Sequence, residues 1–153
     1  MFRSMMAIEP NHVVRGQYLG YRDEHGVATD SDTETFIALR CEIDNWRWAG
    51  VPFFLRTGKR LAEGARIISI AFREPPKSMF PAGSGVGAHG PDHTLFTSAE
   101  GIERLWEVST GLLASPPPVR PYAPGSWGPN AIHQLVAPHA WRLPFERAWR
   151  SKI

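Results

Sequence analysis

Three apolar runs of β-strand character follow one another between residues 37 and 72, with no helical pattern between them. In the first, 37–43, apolar side chains at odd positions alternate with small or polar ones, which predicts a strand with one buried face. The second run is 51–56, and the third, 65–72, is rich in isoleucine and bounded by glycine and prolines. Parallel strands need long, usually helical crossovers, so this succession predicts an antiparallel sheet and an α+β fold.

One segment between these runs has two interpretations. The tryptophan-containing stretch 45–50 carries the turn residues Asn and Gly, so it either lets the first two strands pair or extends the first strand before a bend. Residues 13–21 form an extended piece that leads into an exposed polar loop. Glycine and proline concentrate in 74–91 and 115–129, which predicts loops or linkers there.

Two helices are predicted downstream of the strands. Thr97-Ser98-Ala99-Glu100 has the form of a capping box, and apolar residues follow it at helical spacing, which predicts a helix over about 98–114. A shorter helix begins near Pro129, because proline suits the first turn, and Pro138 stops it.

Composition restricts the class of protein. The 153 residues fit one domain, and the 42% apolar and 21% charged content is typical of globular proteins. No apolar run approaches the roughly twenty residues of a membrane span, and the amino terminus lacks the apolar block of a secretory signal. Cys41 is the single cysteine and cannot form an internal disulfide, so we expect a cytoplasmic location. The net charge of +2 comes from scattered cations, so we expect neither a nucleic-acid nor a membrane partner.

The turn 56–60, Arg-Thr-Gly-Lys-Arg, is the segment best suited to contact a ligand. Arg56, Lys59 and Arg60 could cradle a phosphate, since lysine supplies a mobile charge and arginine a planar fork of donors. A solvated basic turn that merely ends a strand is the alternative. The six histidines are dispersed, so no metal site is predicted, and no nucleotide-binding glycine loop opens a βαβ unit. These patterns alone name no reaction.

Several stretches match one known family in order. They are 14–18, 34–36, 43–61, 101–107, 122–129 and 140–144, among them Arg56-Thr57-Gly58-Lys59-Arg60-Leu61. Together they resemble the carboxy-terminal domain of glucose-6-phosphate dehydrogenase across most of residues 1–153. The resemblance implies a mainly antiparallel sheet with helices packed on one face, and subunits that form a homo-oligomer through that sheet.

The resemblance also implies a function. The whole enzyme oxidises glucose 6-phosphate to 6-phosphogluconolactone with NADP, at the entry to the pentose phosphate pathway. Lys59 corresponds to the lysine that reaches the substrate from this domain, and Arg56 and Arg60 share its turn. We therefore expect all three to bind substrate.

Departures from the family pattern limit what this chain should do alone. The amino-terminal Rossmann domain with its NADP loop and the catalytic histidine have no counterpart, so no catalytic residue is assigned and the chain alone is expected to be inactive. Gly64 stands where the family usually has a second basic residue, so glucose 6-phosphate binding is expected to be weak or absent. The junction of His93 and Thr94 resembles an internal deletion that leaves the domain incomplete. An alternative function is a non-catalytic interaction protein that pairs with a full-length dehydrogenase subunit.

Overall fold

The computed structural model describes residues 2–64, 68–70 and 99–141. The chain divides into two compact units, and the first, Met1–Glu63 with Thr97–Ala140, contains every helix and strand described below. In the second unit, the described residues 68–70 form no strand, and the side chains of Ile68 and Ile70 are exposed. The rest of the predicted strand 65–72 lies outside the described residues, as does the junction of His93 and Thr94.

The first unit contains a four-stranded sheet and two α-helices. The strands lie in the order β3-β2-β1-β4, with β1 antiparallel to β2, β2 antiparallel to β3, and β1 parallel to β4. Neither described helix is long and apolar enough to cross a bilayer. The elements are β1 (Val13–Tyr18), β2 (Phe36–Cys41), β3 (Phe53–Gly58), α1 (Ala99–Ala114), β4 (Val119–Tyr122) and α2 (Ile132–Val136), with 3₁₀ turns at Phe2–Ser4, Pro10–His12 and Tyr21–Asp23.

The α+β class and the mainly antiparallel pairing are confirmed, and the β2–β3 connection is resolved. Asn45 Oδ1 accepts hydrogen bonds from the backbone N–H groups of Arg47 and Trp48, and Gly50 adopts a positive φ of 75°. Asparagine caps a turn with its side chain, and glycine allows the left-handed backbone, so the chain reverses here. The stretch 45–50 is therefore a turn, and the strands on either side of it pair.

The parallel strand β4 was not predicted, because 115–129 has the composition of a loop. Its register pairs Arg15 with Val119 and Tyr18 with Tyr122. Pro121 has no backbone N–H to donate, which an edge strand tolerates and a central strand does not. Residues 119–122 therefore form a strand because they pair with β1, more than a hundred residues earlier, and not because of their own composition.

One side of the sheet is organised around Phe36, whose side chain is 1% exposed. We call it the Phe36 face. A Cβ on Gly58 would lie 2.6 Å from the Phe36 ring, and one on Gly128 would lie 2.4 Å from it. A Cβ on Gly16 would lie 2.7 Å from Pro129 Cγ, so the segment that leads into α2 covers this face. Glycine at these three positions makes the room that Phe36 and Pro129 occupy.

The opposite side of the sheet, the Val108 face, packs against α1. Val13 forms a buried cluster with Ile8 and Val108, and the Ile8 N–H donates to the Val108 carbonyl at 2.9 Å. Side chains from the strands, the amino-terminal segment and α1 surround this cluster: Met5, Ile37, Leu39 and Leu112.

Two expectations about the faces are therefore wrong within the described residues. Strand β2 does not bury only its odd positions, because Phe36 and Ala38 are its most buried side chains. The helices do not share one face: α1 lies against Val13 and Ile37, whereas the segment of α2 covers Phe36. A sheet with apolar residues on both sides needs a cover on each to remove them from water.

Candidate functional site

The basic turn directly follows β3, and its backbone is sharply bent. Gly58 is the last residue paired with β2, and the Lys59 N–H then donates to the Thr35 carbonyl at 2.8 Å. Arg60 has a φ of 50°, in the left-handed region that side chains other than those of glycine, asparagine and aspartate rarely adopt. Such a backbone conformation persists only where surrounding contacts enforce it.

A second turn, 123–126, supplies those contacts. The Gly125 N–H donates to the Arg60 carbonyl at 2.8 Å, and the Ala62 N–H donates to the Ser126 carbonyl at 2.9 Å. The turn itself closes through a hydrogen bond from the Ser126 N–H to the Ala123 carbonyl. The basic turn is therefore clamped at both ends, by Thr35 at Lys59 and by the turn 123–126 at Arg60 and Ala62.

Buried hydroxyl groups lie beneath the turn. The Tyr122 hydroxyl donates to the Lys59 carbonyl at 2.7 Å and lies 3.1 Å from Thr35 Oγ1. Thr35 Oγ1 in turn accepts from the Tyr18 N–H at 3.0 Å. Tyr122 and Thr35 are both buried, so these bonds are sheltered from competition with water.

The three cations of residues 56–60, one in β3 and two on the turn, have different surroundings. The Arg56 guanidinium lies over the Trp127 ring at 5.3 Å, and burial lowers its pKa. Arg60 pairs with the Glu24 carboxylate at 2.6 Å and lies over the Tyr18 ring at 5.2 Å. Lys59 is exposed, and within the described residues its ammonium group forms no hydrogen bond or ion pair.

The hydrogen bonds among Arg60, Glu24 and Tyr18 shift the pKa values of Glu24 and Tyr18. Hydrogen bonds from Tyr18, and then from Arg60, lower the pKa of the Glu24 carboxyl, while the same bond to Glu24 raises the pKa of Tyr18. Arg60 also lines a cleft of about 270 Å³ together with Asp23 and Glu24. The two carboxylates would repel a phosphate, so this cleft does not suit an anion.

The expectation that all three cations lie on one turn is wrong: Arg56 lies within β3, where it pairs with Ala38, and only Lys59 and Arg60 lie on the turn. The three side chains are not directed to one point. Arg56 and Arg60 each contact a protein partner, whereas Lys59 extends into solvent. Sequence reasoning missed Glu24 and Tyr122. The one available signal was that Tyr122 lies in a stretch that resembles the family.

The glycine-bearing turn between β4 and α2 does not fit the pyrophosphate of a dinucleotide, because a Cβ on Gly128 would lie 2.4 Å from the Phe36 ring. This glycine therefore makes room for a core side chain and not for a pyrophosphate. Among residues 2–64, 68–70 and 99–141, no group of three or more His, Cys, Asp or Glu side chains could hold a metal ion.

Comparison with known proteins decides the family. The family model "Glucose-6-phosphate dehydrogenase, C-terminal domain" matches residues 1–91. The chain belongs to the glucose-6-phosphate dehydrogenase family.

Relatives extend the match over almost the whole chain. Glucose-6-phosphate 1-dehydrogenase 1 of Mycobacterium tuberculosis (strain CDC 1551 / Oshkosh) is 34% identical, and the alignment covers 95% of this chain and 43% of that protein. The Chlamydia pneumoniae glucose-6-phosphate 1-dehydrogenase is 48% identical over 48% of this chain and 16% of its own length. This member of the glucose-6-phosphate dehydrogenase family thus spans less than half the length of the relatives that it matches.

Solved glucose-6-phosphate dehydrogenase structures share the fold. That of the Mycobacterium avium enzyme is 36% identical, with a TM-score of 0.72 over 94% of this chain and 42% of that one. A dehydrogenase in complex with its substrate glucose-6-phosphate also has a TM-score of 0.72, over 93% of this chain and 43% of that one; at 22% identity it shows the fold alone. The Mycobacterium tuberculosis alignment runs over 199 positions, so that dehydrogenase carries residues with no counterpart among these 153.

Proposed function

We propose that this chain supplies the glucose 6-phosphate contact of an NADP-dependent dehydrogenase of the pentose phosphate pathway, with Lys59 as the contacting residue. One observation carries the proposal: Lys59 presents an exposed ammonium group, with no hydrogen bond or ion pair to the described residues, from a turn that is clamped at both ends. Membership of the family supports the substrate class.

The chemistry of the turn suits a sugar phosphate. An ammonium group donates up to three hydrogen bonds and attracts the phosphate dianion, and a fixed backbone lowers the entropy cost of holding it in place. Arg60 is paired with Glu24, and Arg56 lies in β3 with its guanidinium over the Trp127 ring. Lys59 is therefore the proposed substrate contact, with Arg56 and Arg60 in supporting roles.

NADP would accept the hydride in the whole enzyme. In this proposal the described residues bind and orient the sugar phosphate and take no part in proton or hydride transfer. We further propose a cytoplasmic location and association with a second copy through the sheet. Size-exclusion chromatography across a concentration series tests the association, and a strictly monomeric chain would argue against it.

Titration of the 153-residue chain with glucose 6-phosphate, followed by NMR, tests the role of Lys59. Lys59→Ala should raise Kd roughly 10- to 100-fold, the value of a hydrogen bond to a charged group. Arg120→Ala removes the same charge from an exposed position on β4 and should leave Kd unchanged. Equal affinity of the wild type and Lys59→Ala would refute the assignment.

A further inference from the structure

The backbone of Lys59 is bound on both sides of its α-carbon. Its N–H donates to the Thr35 carbonyl at 2.8 Å, and its carbonyl accepts from the Tyr122 hydroxyl at 2.7 Å. Both bonds point into the protein, so the exposed side chain extends from an anchored backbone. Of the two anchors, only the one to Tyr122 comes from a side chain, and it can be removed by substitution.

The direction of the hydroxyl hydrogen bonds follows from counting protons. Tyr122 has one hydroxyl proton, and its nearest carbonyl acceptor is that of Lys59, at 2.7 Å against 3.2 Å for that of Thr35. The Thr35 hydroxyl, 3.1 Å from the Tyr122 oxygen, is then the donor in that contact. Thr35 Oγ1 also accepts from the Tyr18 N–H, so each hydroxyl both donates and accepts.

Packing fixes the position of the Tyr122 hydroxyl. The ring is 4% exposed and lies between Tyr18, with centroids 6.3 Å apart, and Phe36, with centroids 5.6 Å apart. The next residue of the turn, Arg60, holds the unfavourable φ of 50°. The Tyr122 bond is the contact made to the peptide between Lys59 and Arg60 itself, so its loss weakens the set of contacts that enforces this backbone conformation, although the bonds to Thr35 and to the turn 123–126 remain.

We propose that Tyr122 is a positioning residue for Lys59, acting on substrate affinity through the Lys59 carbonyl without touching the sugar phosphate. Thr35 is the second member of this chain of hydroxyls and orients the Tyr122 proton. The inference rests on the proposed function, because it takes glucose 6-phosphate to be the ligand of Lys59.

Tyr122→Phe tests the inference because it keeps the ring and removes only the hydroxyl. NMR titration of the 153-residue chain should show Kd for glucose 6-phosphate rising about three- to tenfold, the value of one neutral hydrogen bond. In a Lys59→Ala background, titrated at higher ligand concentration, the same change should have no further effect. Thr35→Val should act in the same direction, and Thr35→Ser, which restores the hydroxyl, should recover the wild-type affinity.

Two results would overturn the inference. One is unchanged affinity in Tyr122→Phe, and the other is an equal loss with and without Lys59, which would mean that Tyr122 acts through general stability. If Tyr122→Phe does not fold, the two Thr35 variants decide the question in the same way.

Hydrogen exchange separates failure of the inference from failure of the proposed function. If Lys59→Ala binds glucose 6-phosphate normally, the proposed function fails. The anchoring of the Lys59 backbone by Tyr122, which needs no ligand, is then decided by the Lys59 and Gly125 amides in Tyr122→Phe: faster exchange than in the wild type supports it, and unchanged exchange overturns it.

Discussion

Alanine at position 58 should destabilise the protein, because it crowds the Phe36 ring beneath the basic turn. The added Cβ would lie 2.6 Å from Phe36 Cδ2 and 3.3 Å from Phe36 Cβ. Carbon atoms pack best at about 3.5–4.0 Å, so the ring or the strand must move by about an ångström. The ring has little room, because Gly128 contacts it from the segment of α2.

The expected cost follows from two opposing effects. Overpacking a filled core costs about 1–3 kcal/mol, while replacing a strand glycine by alanine recovers about 0.5–1 kcal/mol of backbone entropy. Because an approach of 2.6 Å is a severe overlap, the upper part of the overpacking range applies, about 2–3 kcal/mol. The net loss in the free energy of unfolding for Gly58→Ala is therefore about 1–2.5 kcal/mol. At about 2–4 °C per kcal/mol for a chain of this size, Tm should fall by about 2–10 °C.

Urea denaturation and differential scanning calorimetry measure this change. Gly111→Ala is the matched control, since no atom outside its own helix and neighbours lies within 4 Å of the new methyl group. On α1 that substitution should stabilise the protein by about 0.5–1 kcal/mol. Combining Gly58→Ala with Phe36→Leu should reduce the alanine penalty by at least about 0.5 kcal/mol, because a smaller side chain leaves room.

Two results would refute this reasoning. Gly58→Ala could be as stable as the wild type, in which case the ring is not confined as the structure shows it. Alternatively, the alanine penalty could be the same with Phe36 and with leucine at position 36, which would place the strain elsewhere.

Three further predictions concern titratable and charged groups. Arg15→Met should lower the free energy of unfolding by about 2 kcal/mol in urea denaturation, because the mostly buried guanidinium donates to the Pro117 carbonyl and pairs with Glu34; a change below about 0.5 kcal/mol would contradict it. Glu24 has a lowered pKa, so its stabilising effect is present above the pKa of the unfolded carboxyl and is lost as pH falls through the folded value. Glu24→Gln should accordingly be less stable than the wild type near neutral pH and equal to it in acid, and a difference that grows on acidification would contradict this. Burial raises the pKa of the Cys41 thiol, so a thiol reagent should modify it only after denaturant is added, and rapid labelling of the folded chain would show that it is accessible.

Patterns over a few neighbouring residues correctly predicted β2 and α1. The alternation around Ile37 located β2. The Asn and Gly residues of 45–50 allowed two interpretations, and the structure forms one of them, the turn. The helical spacing after Thr97 predicted α1 close to its observed bounds. These signals depend on residues a few positions apart, which a single sequence displays directly.

Burial and charge pairing depend on distant residues, so they could not be predicted. Ala38 is fully buried in β2, which α2 contacts, and nothing near Ala38 in the sequence indicates that cover. The basic character of 56–60 was visible, but the pairing of Arg60 with Glu24 was not. That pairing is what distinguishes Lys59 from its basic neighbours.

The parallel pairing of β1 with β4 has a consequence for the order in which the sheet is completed. Arg15 pairs with Val119, so one edge of β1 stays unpaired until residue 119 and those that follow it have been synthesised. An unpaired strand edge presents free N–H and C=O groups to any other extended chain. A chain that stopped before Val119 would thus expose this edge, and we expect it to aggregate more readily than a chain that includes β4.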